Sequence, residues 1–126
     1  MCEIFIRADP ESYESRTRSV RLHGVVTSLR LENLYWDVLA EIGQRDGMGV
    51  PQLLEKLYDE LVRARGQVGN FASFLRVSAL RYMALQAHDR IPTDLNVPIA
   101  SLDARRVLER LPPRWATPAA EARHAA

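Results

Sequence analysis

The sequence predicts a mainly α fold in which short N-terminal β-strands lead into three helices and an irregular C-terminal tail. Three observations carry this. A β-branched, alternating run, Val25–Leu31, passes directly into an apolar stripe of helical period. Two further helical stretches follow, bounded by glycine, proline or asparagine where helix ends favour them. From Asp89 onward, Pro92, Pro98, Pro112, Pro113 and Pro118 interrupt any long element. The chain therefore divides into a strand or arm segment (1–24), a core with a third helix (25–88) and a Pro-rich tail with a short helix (89–126).

In chain order, Glu3–Ala8 (EIFIRA) reads as a short strand closed by the turn pair Asp9-Pro10. The polar stretch PESYESRTR reads as irregular. Ser19–Leu22 alternates again, His23-Gly24 interrupts it, and Val25–Leu31 is the second β-like run. Earlier runs should lie beside it, though the sequence leaves the pairing open.

The first helix is expected from Glu32 to Asp46. Leu31, Leu34, Tyr35, Val38, Leu39 and Ile42 recur at helical spacing, and Gly47 supplies the stop. Trp36 falls off this stripe, so it covers the edge of the core or meets a second chain. The second helix begins at Val50 or Pro51, since proline costs nothing in a first turn. Its apolar face is Leu53, Leu54, Leu57, Tyr58, Leu61 and Val62, and it fades through Arg63 and Arg65 to Gly66. Asn70 is a suitable N-cap for a third helix over Phe71–Gln86. That helix is apolar on two sides: Phe71, Phe74, Leu75, Ser78, Tyr82 and Leu85 on one, Val77, Leu80 and Met83 on another. Two such faces call for two partners, its own chain and another copy. Ser101–Leu111 can form a short helix capped by Ser101, and the end, TPAAEARHAA, has the composition of a disordered segment.

Charge adds a functional clue. With 47% hydrophobic and 26% charged residues among 126, the chain has the balance of a folded domain, and its net charge of +1 neither favours nor excludes nucleic acid. The distribution says more. Ser15–Leu31 holds Arg16, Arg18, Arg21 and Arg30 and no acid, whereas Asn33–Val62 holds six acids against Arg45 and Lys56. A basic segment beside an acidic block makes a local field that attracts phosphate.

A strand ending in Thr27-Ser28-Leu29-Arg30-Leu31, then helix, glycine turn and helix, resembles the ribbon-helix-helix family of transcriptional regulators. The stretches RTRSVRLHGVVTSLRLENLYWDVL and NFASFLRVSALRYMAL are similar to a bacterial, mostly uncharacterised subfamily of it. The resemblance implies a ribbon-helix-helix core in an intertwined dimer. Each chain would donate one strand to an antiparallel ribbon that enters the DNA major groove. The helices beneath, with Leu29, Leu31, Leu34, Val38, Leu39, Leu53, Leu54 and Leu57, would form the dimer core.

Strand alternation then separates the roles. With Leu29 and Leu31 pointing inward, Val26, Ser28 and Arg30 share the outward row. Arg30 can bind a guanine edge bidentately, a contact worth ~1–3 kcal/mol of base discrimination. Ser28 can donate or accept, and Val26 can touch a thymine methyl where the family usually places a polar side chain. Arg16, Arg18 and Arg21 would contact phosphates. So would the backbone amides of Gly49, Val50 and Gln52 at the second helix N-terminus, where Pro51 removes one donor.

Other chemistries fit poorly. His23, His88 and His124 stand far apart with no cysteine or acid pair at metal-ligand spacing, and Gly47-Met48-Gly49 is too short to cradle a phosphate. Met1-Cys2 is similar to the start of amidotransferases with an N-terminal cysteine nucleophile, but those rest on stacked sheets and most of this chain is helical. No enzyme activity and no cofactor are expected. Cys2 is the sole cysteine, no apolar run nears the ~18 residues of a membrane span, and the N-terminus has no signal-peptide core. These features suit the cytoplasm. The expected partners are double-stranded DNA and a second copy of the chain, as dimer or tetramer. The competing expectation is an antitoxin-like or adaptor dimer that grips a protein through the third helix and tail.

Overall fold

The computed structural model describes residues 1–115. In chain order it contains α1 (Cys2–Ile6), a 3₁₀ turn at Pro10–Tyr13, β1 (Ser15–Leu22), β2 (Val25–Glu32), α2 (Asn33–Arg45), α3 (Val50–Arg65), α4 (Phe71–Ala87), a 3₁₀ turn at Ile99–Ser101 and α5 (Ala104–Val107). A mainly α body thus carries one two-stranded antiparallel sheet.

The sheet is a hairpin closed within one chain. Leu22 pairs with Val25, so the loop is the two residues His23-Gly24, and the register runs back to Ser15 opposite Glu32. Both loop residues have positive φ, 51° and 77°, as the tight turn that matches strand twist requires. Glycine supplies the second at no steric cost. Within the chain the partner of β2 is β1, which begins four residues before the alternation at Ser19 announced it. The stretch PESYESRTR is likewise not irregular but a 3₁₀ turn followed by strand.

The core sits under the hairpin. Val20, Leu22, Leu29 and Leu31 from the sheet meet Trp36 and Leu39 of α2, Val50, Leu53 and Leu54 of α3, and Phe71 and Leu75 of α4. Trp36 belongs to this centre and is 1% exposed, whereas Leu34, placed in the helical stripe, is 56% exposed. The buried face of α2 is thus rotated toward Trp36, with Val38 half-buried. Gly43 is needed where it stands. A Cβ there would lie 2.7 Å from the Met48 carbonyl oxygen, in the turn that folds α3 back on α2.

The helix limits follow the chemistry. Arg45 and Asp46 end α2, Gly66 closes α3 in the left-handed conformation, and Asn70 caps α4 by accepting from the Ser73 amide. Two expectations fail at the ends. Glu3–Ala8 is not a strand: Cys2–Ile6 forms one turn of helix, supported by the Arg7–Glu3 ion pair at i,i+4. Ser101 does not cap a helix to Leu111. It ends a 3₁₀ turn, and Asp103 caps the four-residue α5 through the Arg105 amide.

The tail folds back on α4. Tyr82 and Leu85 bury Ile91 and Leu111, with Val107, Leu108 and Trp115 around them. Arg45, 6% exposed, holds this region. It donates to the carbonyl oxygens of Val97, Pro92 and Asp94 at 2.9–3.0 Å and to the Tyr82 hydroxyl at 3.1 Å. Burial, and a 2.6 Å hydrogen bond donated to Glu41, push the Tyr82 hydroxyl pKa up. The segment TPAAEARHAA lies outside the described residues.

Candidate nucleic-acid interface

Alternation along the hairpin gives it two chemically distinct faces. The inner row is Arg16, Arg18, Val20 and Leu22 opposite Leu31, Leu29, Thr27 and Val25. The outer row is Thr17, Ser19 and Arg21 opposite Arg30, Ser28 and Val26, and all six residues are exposed. Val26, Ser28 and Arg30 thus stand together as the strand pattern predicts. Their cross-strand neighbours Arg21, Ser19 and Thr17 extend the row into a hydroxyl- and guanidinium-bearing surface. Sequence reasoning missed Thr17 and Ser19, although the SRTRS alternation was available to find them.

The three basic residues before the turn do not act as a set. Arg21 is on the outer row, where it donates to the Gly24 carbonyl at 3.1 Å. Arg18 is on the inner row, with its guanidinium over Trp36 at 5.2 Å from the ring centroid. Arg16 lines a hollow with Asp9, Glu11 and Asp37 at the other end of the strand. Arg21 also meets the start of α3: it shares a cleft of about 530 Å³ with Met48, Pro51 and Gln52. Gly49 is the N-cap of α3, Val50 and Pro51 open it, and no side chain caps it. The amides of Gly49, Val50 and Gln52 are therefore the donors around this end, since Pro51 has none and Leu53 already donates to Gly49. The same cleft holds Glu55, Asp59 and Glu60 beside Lys56 and Arg63, which tempers its attraction for an anion.

The hairpin is fastened at both ends. At the tip, the His23 imidazole meets Tyr58 edge-on at 5.3 Å, and its Nδ1 lies 3.2 Å from Asp59 Oδ1. At the base, Trp36 Nε1 donates to the Arg16 carbonyl at 2.9 Å, and the Asn33 amide donates to the Glu14 carbonyl at 2.8 Å. From α4, Arg76 donates to Glu32 Oε1 at 2.8 Å and to the Arg30 carbonyl at 3.3 Å. The Arg76 hydrogen bond holds the Glu32 carboxyl below its ordinary pKa. Arg76 was not visible in advance as a site residue: nothing in a helix sequence marks which arginine reaches a strand 44 positions away.

With this geometry in hand, comparison decides the family. Residues 15–83, more than half of the chain, match the model of the ribbon-helix-helix domain. The chain belongs to the ribbon-helix-helix family. The match opens at the first residue of β1, so both strands of the hairpin are part of the ribbon-helix-helix unit, as are α2, α3 and most of α4. Among solved structures, the chain is similar to an uncharacterized protein from Bordetella pertussis Tohama I. They share 61% identity over 94% of this chain and 95% of that one, with a TM-score of 0.91. No curated protein matches. Among the described residues no helix is long and apolar enough to cross a membrane, and no group of three His, Cys, Asp or Glu side chains converges as metal ligands.

Proposed function

We propose that this ribbon-helix-helix protein is a sequence-specific DNA-binding dimer of the cytoplasm, a transcriptional regulator that sets its β1–β2 hairpin in the major groove. The observation that carries the reading is the outer row of the hairpin, where Thr17, Ser19, Arg21, Ser28 and Arg30 stand exposed above an apolar anchor. A two-stranded ribbon fits the width of the major groove, where every base pair presents a distinct donor and acceptor pattern. Arg30 reads a guanine edge, Ser28 a neighbouring base, and Val26 a thymine methyl. Arg21 and the Gly49, Val50 and Gln52 amides hold phosphates beside the ribbon. Arg16 and Arg18 occupy the inner row and act on the field rather than on a base. Because each chain completes its own ribbon, a dimer offers two reading heads, one for each half-site.

Selection of random duplex DNA against the purified chain at two salt concentrations tests this. Enrichment of a two-half-site sequence is expected, with affinity falling steeply as salt rises because bound phosphates release counterions. Wild type and Arg30→Ala binding the selected sequence equally would sink the reading.

One observation favours a second reading, an antitoxin-like or adaptor module. Val77, Leu80 and Met83 on α4 are each about half exposed and free to meet a protein. The tail contributes less to that reading than its sequence suggests, because Ile91 and Leu111 are committed to its own core. Absence of any enriched DNA at either salt would move the assignment to this module.

A further inference from the structure

Two apolar features of the chain have no partner among the described residues. The first is a face built from α2 and α4. Leu34, Val77, Leu80, Met83 and Leu95 are between 48% and 61% exposed. Leu34, Tyr35, Val38, Leu80 and Met83 line a groove of about 490 Å³, and Leu34, Val38 and Met83 continue into an adjoining hollow of about 420 Å³ that ends at Leu95. The second is the α1 arm. Met1, Ile4, Phe5 and Ile6 are between 68% and 89% exposed, and the helix buries none of its residues. The arm leaves from the rim of the groove, which Ala8, Ser12 and Tyr13 also line.

We infer that this face is a homodimer interface in which each copy lays its α1 arm into the α2–α4 groove of the other. The area argues for it. At roughly 100 Å² for each exposed side chain, the face offers on the order of 500 Å² and the arm about as much again; either alone is as large as the biggest apolar patch of an ordinary monomer. Together they exceed the ~800 Å² that each partner buries in a stable complex. The occupant is a second copy because one two-fold operation covers both features at once: an arm that starts at the groove's rim crosses an axis near that rim and lands on the partner's groove. A foreign protein seated in the groove would leave the arm bare.

This inference rests on the dimer in the reading above and not on its DNA contact. Arg30→Ala removes base readout and leaves the dimer, whereas a change in the groove removes the dimer, so the two failures are told apart. Sedimentation equilibrium of the full chain is expected to give a dimer. Leu80→Glu combined with Met83→Glu, both at exposed positions, should raise its dissociation constant at least about 100-fold with an unchanged circular dichroism spectrum. Deleting residues 2–7 removes the arm without touching the core, and should weaken the dimer at least about tenfold. A cysteine placed at Leu80 should form its disulfide with Cys2 across two chains. A monomer at every concentration, a dimer that survives both changes, or a disulfide closed within one chain would overturn the inference.

Discussion

The two ends of α4 use arginine in opposite ways. Toward the tail, guanidinium groups are consumed by the chain's own backbone: Arg45 binds three carbonyls, and Arg90 donates to the carbonyls of Arg106, Val107, Glu109 and Arg110. Toward the hairpin, Arg76 is used once, to clamp the base of β2, and the Arg30 guanidinium beyond it is left in water with no hydrogen bond or ion pair among the described residues. A buried guanidinium surrounded by carbonyls fixes geometry. An exposed one on a rigid strand, with its backbone already held, is free to recognise something else. The contrast separates arginines spent on building the molecule from one left open on its surface.

Exchanging alanine for one arginine of each kind should separate these roles most strongly. If Arg30 reads a guanine as proposed, Arg30→Ala removes one bidentate contact per half-site, about 2–6 kcal/mol of discrimination over two half-sites. Competition titration should show the selected and a scrambled duplex binding nearly alike, with the melting temperature hardly moved. Arg45→Ala should do the reverse. It removes the side-chain donor shared by three carbonyls and the Tyr82 hydroxyl and costs about 3–4 kcal/mol of stability. Urea denaturation reads this loss, and DNA affinity per folded molecule should stay at the wild-type value. A variant at Arg45 that relaxed base preference would erase the contrast.

The same division decides what could be read from sequence. The long helices were legible because their burial repeats with the helical period, as in Leu53, Leu54 and Leu57 or Phe71, Leu75 and Tyr82. The outward placement of Ser28 and Arg30 followed from the period of two that a strand imposes. The start of β1 was hidden because its inner row opens with Arg16 and Arg18. The Arg18 guanidinium lies over the Trp36 indole, where an apolar residue would be expected, yet in sequence it reads as charge. Trp36 misled for the same reason, since the stripe was sought through Leu34 and the tryptophan carried the burial. The segment EIFIRA has strand-forming side chains but no neighbouring strand to complete a ladder, and a single helical turn satisfies its amides locally. Arg45 and Arg76 bind partners 37–52 positions away. Such contacts leave no local pattern.

A smaller effect tests the tail end of the comparison. The Tyr82 hydroxyl donates to Glu41 and accepts from Arg45 and Gln86 at 3.1 Å. Tyr82→Phe keeps the ring packed against Leu85 and Ile91 while removing that junction. The expected cost is about 1–2 kcal/mol, read by thermal melting, less than for Arg45→Ala because the three carbonyls keep their donor. An equal loss in both variants would mean that the hydroxyl, not the carbonyl cluster, carries the clasp.

The smallest effect lies at the hairpin end and depends on pH. Arg76 holds the Glu32 carboxyl below its ordinary pKa by a hydrogen bond, with added charge attraction. A carboxylate whose folded pKa is lowered stabilises the fold above its unfolded value, and that contribution fades as pH falls through the folded one. Both side chains are about one-third exposed, so solvent screens the pair and the effect is modest. Glu32→Gln should therefore be slightly less stable than wild type near neutral pH. The gap should close as pH drops below about 4, the unfolded carboxylate range, and narrow in high salt at neutral pH. Denaturation midpoints of the two proteins from neutral pH to about pH 3 measure the gap directly. A gap independent of pH would assign the contact to hydrogen bonding alone and leave the charge on Glu32 without a role in seating the ribbon.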